Sequence, residues 1–486
     1  MTDLTFKRKF GYEEWPQEKI KKAFEFAEDY KEFLSKYKTE RKVVEWVVGE
    51  AKDEGYRRLE SISPKNLSHL SNLVKIYGIN REKAIILGQF GKSPLLEGAR
   101  LVLAHIDSPR IDLKLQPLYE EEKIAWLKTQ YYGGIKKYQW TATPLAIFGT
   151  VVLESGRAIQ IGIGDKPGDP VLIITDLLPH LAKKQMEKKL EEAIEAEEMN
   201  VVVGSIPVKG GKESKVSNVS KGPAFAKASA GEEKETVKLG VLEWLNKNYG
   251  ISEEDLVSAD LEIVPAGEAK DLGFDRSLIS GYGQDDRICA YPAVQALFET
   301  KNPQYSNIVV LVDKEETGSE SSTGALSNFI PDFISEMLYL QTGKHDENNL
   351  RDCLSLSKAI SADVTVGFDP DYKDVFDPKN TARIGAGIAL EKYTGRRGKY
   401  DTNEATAEYL AQIRRIFNQN NVLWQVGGLG KVDLGGGGTI AMFLARYNMD
   451  VVDAGPPLLS MHSPFEISSK VDIYSCYEAY KAFLNS

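Results

Sequence analysis

The sequence predicts an α/β protein whose sheet-and-helix core is interrupted by an antiparallel β-rich insertion. Short apolar strands at 84–87 and 100–104 follow a helical N-terminal stretch, and strand-and-helix alternation resumes beyond Gly267. Between them, from about residue 112 to 265, brief strand-like runs are separated by Gly, Pro and Asp turns, the signature of antiparallel hairpins. A chain of 486 residues, 42% of them hydrophobic, is also too long for one ordinary core.

From about Gln17 to Lys52, Ile20, Phe24, Ala27, Phe33 and Leu34, then Val43, Val44, Trp46 and Val47, recur mainly at three- and four-residue spacing among Lys and Glu, which predicts helices. The strand at 100–104 runs into His105-Ile-Asp-Ser-Pro109. In the insertion, strands are expected at 145–153, 159–163, 171–174 and 200–208. The stretch 183–198 reads as one charged, solvated helix. The Gly-, Ser-, Lys- and Ala-rich segment 209–235 reads as a flexible loop. Beyond Gly267, strands are expected at 307–312, 359–366 and 450–454, and helices at 287–299 and 402–419. The run Gly435-Gly-Gly-Gly438 precedes a helical 439–446. It lacks the spacing of a phosphate-binding loop and reads as a helix-start loop lining a cleft.

Composition excludes several classes of function. No apolar run approaches the roughly 20 residues that cross a bilayer, and the N-terminus has no apolar leader. Cys289, Cys353 and Cys476 lie far apart without a C-x-x-C spacing, which argues against thiolate metal sites and fits a reducing cytoplasm. A formal charge of −10 and the lack of a basic patch argue against nucleic acid as a partner. A metal in this chain is therefore held by nitrogen and oxygen.

The strand ending at Val312 delivers Asp313-Lys-Glu-Glu-Thr-Gly318, with Glu315 and Glu316 adjacent at a strand's C-terminal end, where α/β proteins keep their chemistry. Side chains leaving a strand alternate in direction, so one carboxylate can ligate a metal while its neighbour stays free to move protons. Alone, such a pair in a chain with 27% charged residues is a solvated turn. Partners stand elsewhere. His105 and His462 each follow an apolar run and precede Ser-Pro, and Asp107, two residues past His105, shares its face of an extended segment and can orient the imidazole. Gly283-Gln-Asp-Asp-Arg287 and Ser361-Ala-Asp363 add carboxylates beside further α/β elements.

Taken in order, Ala104-His-Ile-Asp-Ser-Pro109, Gly283-Gln-Asp-Asp-Arg287, Asp313-Lys-Glu-Glu-Thr-Gly-Ser319, Ser361-Ala-Asp363 and Leu459-Ser-Met-His-Ser463 resemble the motif set of the aspartyl aminopeptidases, a family of dizinc, dodecameric enzymes. The resemblance spans nearly the whole chain. It implies a mixed-sheet α/β/α zinc-peptidase domain formed by 1–112 and 267–486, with a β-rich oligomerisation or lid domain inserted at 113–266. It implies two zinc ions per subunit, one on His105 and Asp363, the other on Glu316 and His462, with Asp285 bridging both. Glu315 matches the catalytic carboxylate, Asp107 the residue orienting His105, and the Asp285–Asp286 peptide is expected to be cis.

That inventory suits the chemistry. Two metals about 3.5–4 Å apart can share and acidify a water and stabilise both oxygens of a tetrahedral intermediate. Glu315 then relays a proton to the departing amine. The same mixed ligands admit Co²⁺ or Mn²⁺. His180, in a Pro-His-Leu segment of the insertion, resembles the family histidine that enters a neighbouring subunit's site to bind substrate. Removal of acidic N-terminal residues requires a fixed cation, for which Lys392 is the first candidate, with Arg396, Arg397 and Lys399 beside it. The expected assembly is a tetrahedral homododecamer acting on short peptides. A dizinc carboxypeptidase or amidohydrolase, and a non-enzymatic assembly protein of the same fold, remain as alternative readings.

Overall fold

A computed structural model describes residues 4–62, 74–208 and 235–486. The chain divides into two compact units, Met1–Pro109 with Glu268–Ser486, and Arg110–Gly267. The segment read as a flexible loop at 209–235 lies, apart from Glu235, outside the described residues.

The first unit is built on a nine-stranded mixed sheet. Its strand order is Arg57–Arg58, Lys75–Asn80, Ala84–Gln89, Ser306–Val312, Ala99–His105, Lys358–Ser361, Asp450–Gly455, Ile388–Glu391 and Trp424–Val426. The four central strands, Ser306–Val312 through Asp450–Gly455, are mutually parallel. Antiparallel partners flank them on both sides. Parallel strands buried on both faces read as continuous apolar runs, and Ile308-Val-Val-Leu-Val312 is such a run.

The period-two alternation of the strands divides these apolar side chains between two cores. Val102, Ala104, Val309, Leu311, Ile360 and Val452 face one, packed against helices Gln17–Lys36, Glu40–Asp53, Gln284–Glu299, Ala407–Gln419 and Lys470–Leu484. Leu101, Leu103, Ile308, Val310, Val312 and Val451 face the other, against helices Phe329–Thr342, Glu347–Leu356 and Ala441–Ala445. Helices on both faces of one sheet make an α/β/α sandwich. Among the described residues, no helix is long and apolar enough to cross a membrane. The three cysteines are buried thiols.

The second unit is a seven-stranded antiparallel sheet ordered Ala158–Ile163, Leu145–Val152, Ala259–Pro265, Arg110–Glu121, Ile124–Tyr132, Val201–Gly204 and Ile173–Ile174. Its longest hairpin joins Arg110–Glu121 to Ile124–Tyr132 and has no Asn-Gly signal. Glu122 and Lys123 take left-handed φ of 50° and 60°, the conformation of a tight two-residue turn. The helix Thr236–Tyr249, closed by left-handed Gly250, also lacks a sequence expectation.

The single helix expected at 183–198 does not form. That stretch is two four-residue helices, Lys183–Met186 and Leu190–Ala193, and a 3₁₀ turn, Ala196–Glu198. Met186 and Leu190 stay exposed while Ile194 is buried, so no continuous apolar stripe is available to stabilise a long helix. The strand expected at 359–366 is likewise broken, into Lys358–Ser361 and Thr365–Val366. The break releases Asp363 from the ladder, just past the Ala362 N–H that still bonds the neighbouring strand.

Candidate metal centre

Parallel register brings the chemistry-bearing residues to the C-terminal ends of the central strands. His105 ends its strand opposite Val312, so Asp313 to Glu316 emerge beside it. Ser361 pairs with Leu103, and the Ala362 N–H donates to the Leu103 carbonyl, which brings Asp363 level with His105. Asp285 comes from the first turn of helix Gln284–Glu299, where the Asp285–Asp286 peptide is cis. His462 comes from a turn between strands Pro457–Leu458 and Glu466–Ser469, with φ of 62°.

Asp285 is central. One carboxylate oxygen lies 3.1 Å from His105 Nε2, and the other 3.2 Å from His462 Nε2. Asp363 Oδ1 lies 4.0 Å from His105 Nε2, and Glu316 Oε2 lies 3.6 Å from His462 Nε2. Two ligand sets result, each with its donor atoms within 4.8 Å of one another: His105, Asp285 and Asp363, and Asp285, Glu316 and His462. A third set joins His105, Glu315 and Glu316, so distance alone also admits Glu315 as a ligand.

The expectation that Glu315 and Glu316 alternate as extended-strand residues is corrected. Left-handed Lys314 (φ 71°) turns the chain, and the pair stands on a 3₁₀ turn, Glu315–Thr317. The two side chains still diverge: Glu315 lines the cleft, whereas Glu316, 4% exposed, turns toward His462.

Asp107 has a wider task than its spacing suggests. Its carboxylate accepts the Glu315 and Glu316 N–H groups at 3.2 and 3.3 Å, anchoring the turn that carries both glutamates. His105 Nδ1 lies 3.0 Å from the Asp107 carbonyl and 3.4 Å from its carboxylate. A carbonyl only accepts, so Nδ1 donates to it, and the Nε2 lone pair of the neutral, metal-binding form of the ring is the one aimed at the cluster.

The electrostatics favour cations here. Five carboxylates, those of Asp107, Asp285, Glu315, Glu316 and Asp363, surround two imidazoles. Burial and mutual repulsion push Glu315 and Glu316 up to about 8. Burial opposes charge on His105, yet the Asp107 and Asp285 carboxylates raise it well above the ordinary imidazole value. Asp285 Oδ1 and Glu316 Oε1 are buried without a hydrogen-bond donor. A carboxylate and imidazole donor set with orphaned buried oxygens fits zinc or a similar divalent ion.

Glu466 is a site residue that sequence reasoning missed. Its two oxygens accept the His462 N–H at 2.7 Å and the Asp285 N–H at 3.1 Å, so one carboxylate fixes the backbones of two candidate ligands. No motif or periodicity marks it, because its importance comes from pairing with Gly281 across a short strand ladder. Gly283, at φ 68°, is equally specific: a Cβ there would fall 1.5 Å from Arg287 Nη2. Arg287 Nε and Nη1 donate to the Gly283 and Tyr37 carbonyls at 2.7 Å each, holding the loop that precedes Asp285.

The cluster opens into a cleft of about 1220 Å³, lined in part by Asp285, Glu315, Asp363, His462 and the run from Gly435 to Gly438. Lys392 lines it too, but its ammonium is engaged, 3.4 Å from a Glu404 oxygen and 2.9 Å from the Tyr393 hydroxyl. Arg397 is exposed at the same cleft, while Arg396 pairs with Asp401 at 2.8 Å. His180 belongs to the other unit and is exposed.

A family model described as aminopeptidase I zinc metalloprotease (M18) matches residues 33–484. The probable M18 family aminopeptidase 1 of Clostridium acetobutylicum is 46% identical over 484 residues, covering 100% of this chain and 99% of the relative. The crystal structure of an M18 aminopeptidase from Thermotoga maritima superposes with a TM-score of 0.89 at 44% identity, covering 99% of this chain and 100% of that one. More distantly, the S. cerevisiae mApe1 dodecamer shares the fold at 19% identity, with a TM-score of 0.71 and 94% and 95% coverage. On the strength of the full-length match and this identity, the chain belongs to the M18 family of zinc aminopeptidases.

Proposed function

We propose that the cluster holds two zinc ions and hydrolyses the first peptide bond of short peptides with free N-termini, with Glu315 as general base. The observation that carries this reading is the Asp285 carboxylate, one oxygen facing His105 and the other His462, each within 3.2 Å. His105 and Asp363 would hold one ion, Glu316 and His462 the other, and Asp285 both. Bound zinc supplies Lewis acidity, polarising a carbonyl and lowering the pKa of water.

The chain's own residues do the rest. Glu315, at the cleft face of the cluster, takes the proton of the attacking water and returns it to the amine as the C–N bond breaks. Asp107 keeps the Glu315 and Glu316 amides in place, and Glu466 does the same for Asp285 and His462. The inserted Arg110–Gly267 unit is assigned to assembly, and a dodecamer like that of the yeast relative is the proposed state. His180, exposed on that unit, is assigned to substrate binding in a neighbouring subunit. Unchanged turnover by His180→Ala in the intact oligomer would remove it from that role.

Metal removal tests the reading as a whole. Dialysis against a chelator is expected to abolish hydrolysis of leucine amide, and zinc, cobalt or manganese to restore it at about two ions per chain. Hydrolysis of N-blocked but not free substrates would instead identify the carboxypeptidase or amidohydrolase alternative. Undiminished activity in metal-free protein would refute the assignment of the cluster.

A further inference from the structure

One charged side chain in the cleft has no part in the chemistry above. Among the described lining residues, Glu391 is the only buried charge outside the metal cluster, 8% exposed at the end of strand Ile388–Glu391. Its Oε1 accepts the Thr365 hydroxyl. Beside it, Gly427 leaves room: a Cβ there would come within 2.9 Å of Glu391 Oε1 and 3.0 Å of the Ala389 Cβ. The charged residue opposite it in the ladder is Asp453, itself a buried carboxylate. The groups acting on the Glu391 charge are therefore burial, one hydroxyl and a like charge. Burial and the neighbouring Asp453 carboxylate push the Glu391 carboxyl up to about 7, and a cation that the substrate brings into the cleft favours its charged form.

We propose that Glu391 is a specificity-determining residue that binds the ammonium or guanidinium of a lysine or arginine at the substrate's N-terminal position. The inference rests on the aminopeptidase reading and names its substrate class. Strand order decides between that side-chain cation and the substrate's α-ammonium. Glu391 lies two strands beyond Lys358–Ser361, the strand that leads to Asp363, so neighbouring spacings of about 4.8 Å put the two strands roughly 10 Å apart. An α-ammonium sits only about 2.5 Å from the scissile carbon, whereas the four-carbon stem of lysine carries its charge some 6 Å beyond Cα. Val364, Trp424, Val426, Leu429 and Met461 line the same cleft and suit the methylenes of such a stem.

The cations of the cleft do not reverse this preference. Lys392 is paired with Glu404, and Arg397 and Arg414 are exposed, where water screens them. An acidic N-terminal side chain reaching inward would meet the Glu391 carboxyl instead.

The test uses the full-length, metal-reconstituted oligomer and the amides of lysine, arginine, leucine, norleucine, aspartate and glutamate. The wild type is expected to favour lysine over norleucine, its ammonium-free analogue, by about 10- to 100-fold in kcat/KM, with aspartate and glutamate slowest. Glu391→Gln should cut the lysine-to-leucine ratio at least tenfold, mainly through KM, and Glu391→Asp should recover part of it. Faster hydrolysis of aspartyl than lysyl amide by the wild type would overturn the inference, and so would an equal loss for lysine and leucine in Glu391→Gln. In both cases cleavage of leucine amide leaves the aminopeptidase reading standing, whereas failure of every free aminoacyl amide would overturn both.

Discussion

Glu315→Gln is expected to reduce kcat on a free aminoacyl amide by about 10²- to 10⁴-fold while the protein still binds two metal ions per chain. Glutamine keeps the shape of the side chain and its place on the 3₁₀ turn, since the Glu315 and Glu316 amides are held by Asp107 and not by their own side chains. What glutamine cannot do is accept a proton. The contrast with Glu316→Gln makes the claim specific. The Glu316 side chain is 4% exposed and aimed at His462, so its replacement should lose one metal. Activity and metal content measured together on the two variants would decide the matter, and equal metal loss in both would show the roles to be misassigned. The measurement discriminates because Glu315 also belongs to a donor set with His105 and Glu316.

Asp285→Asn is expected to be more damaging to metal binding than any other single substitution at the cluster, leaving less than one ion per chain and activity near background. Asp285 contributes to both ligand sets, whereas Asp363, Glu316 and each histidine contribute to one of these two. An amide also presents a neutral oxygen and an N–H₂ group where two imidazole nitrogens now approach at 3.1 and 3.2 Å. The backbone of residue 285 keeps its anchors, with its N–H on Glu466 and its carbonyl accepting the Ser108 hydroxyl at 2.8 Å. The folded state should therefore survive, which circular dichroism and an unfolding midpoint would check. Retention of two metals and wild-type turnover by Asp285→Asn would dispose of the bridging role.

Legibility differed from element to element for physical reasons. Apolar runs such as 307–312 and amphipathic stretches such as 17–36 declare themselves, because burial on two faces or on one stripe leaves a pattern in composition. The hairpin turning at Glu122 and Lys123 does not, because two ordinary residues take left-handed φ there without glycine or asparagine. The helix read at 183–198 failed because charge density resembles a solvated helix even when no neighbour covers an apolar face. At the site, ligand-type residues could be picked out by their place after strands. Glu466 and Glu391 could not, since the first acts through two backbone amides far apart along the chain and the second through its place in the wall of a cleft.

By itself the sequence determined the class of the protein: an α/β core carrying two histidines and several carboxylates at strand ends, in an order resembling a family of metal-dependent aminopeptidases. Those properties are local or ordered along the chain, so they survive without coordinates. Tertiary structure alone decided how the charges are shared. Parallel register and a broken strand bring His105, Asp363 and Glu315 to the C-terminal ends of the central strands, a helix start and a turn add Asp285 and His462, and Lys392 is drawn to Glu404 while Glu391 faces the cleft. Charge in a protein acts through distance and burial, and neither is a property of position along the chain.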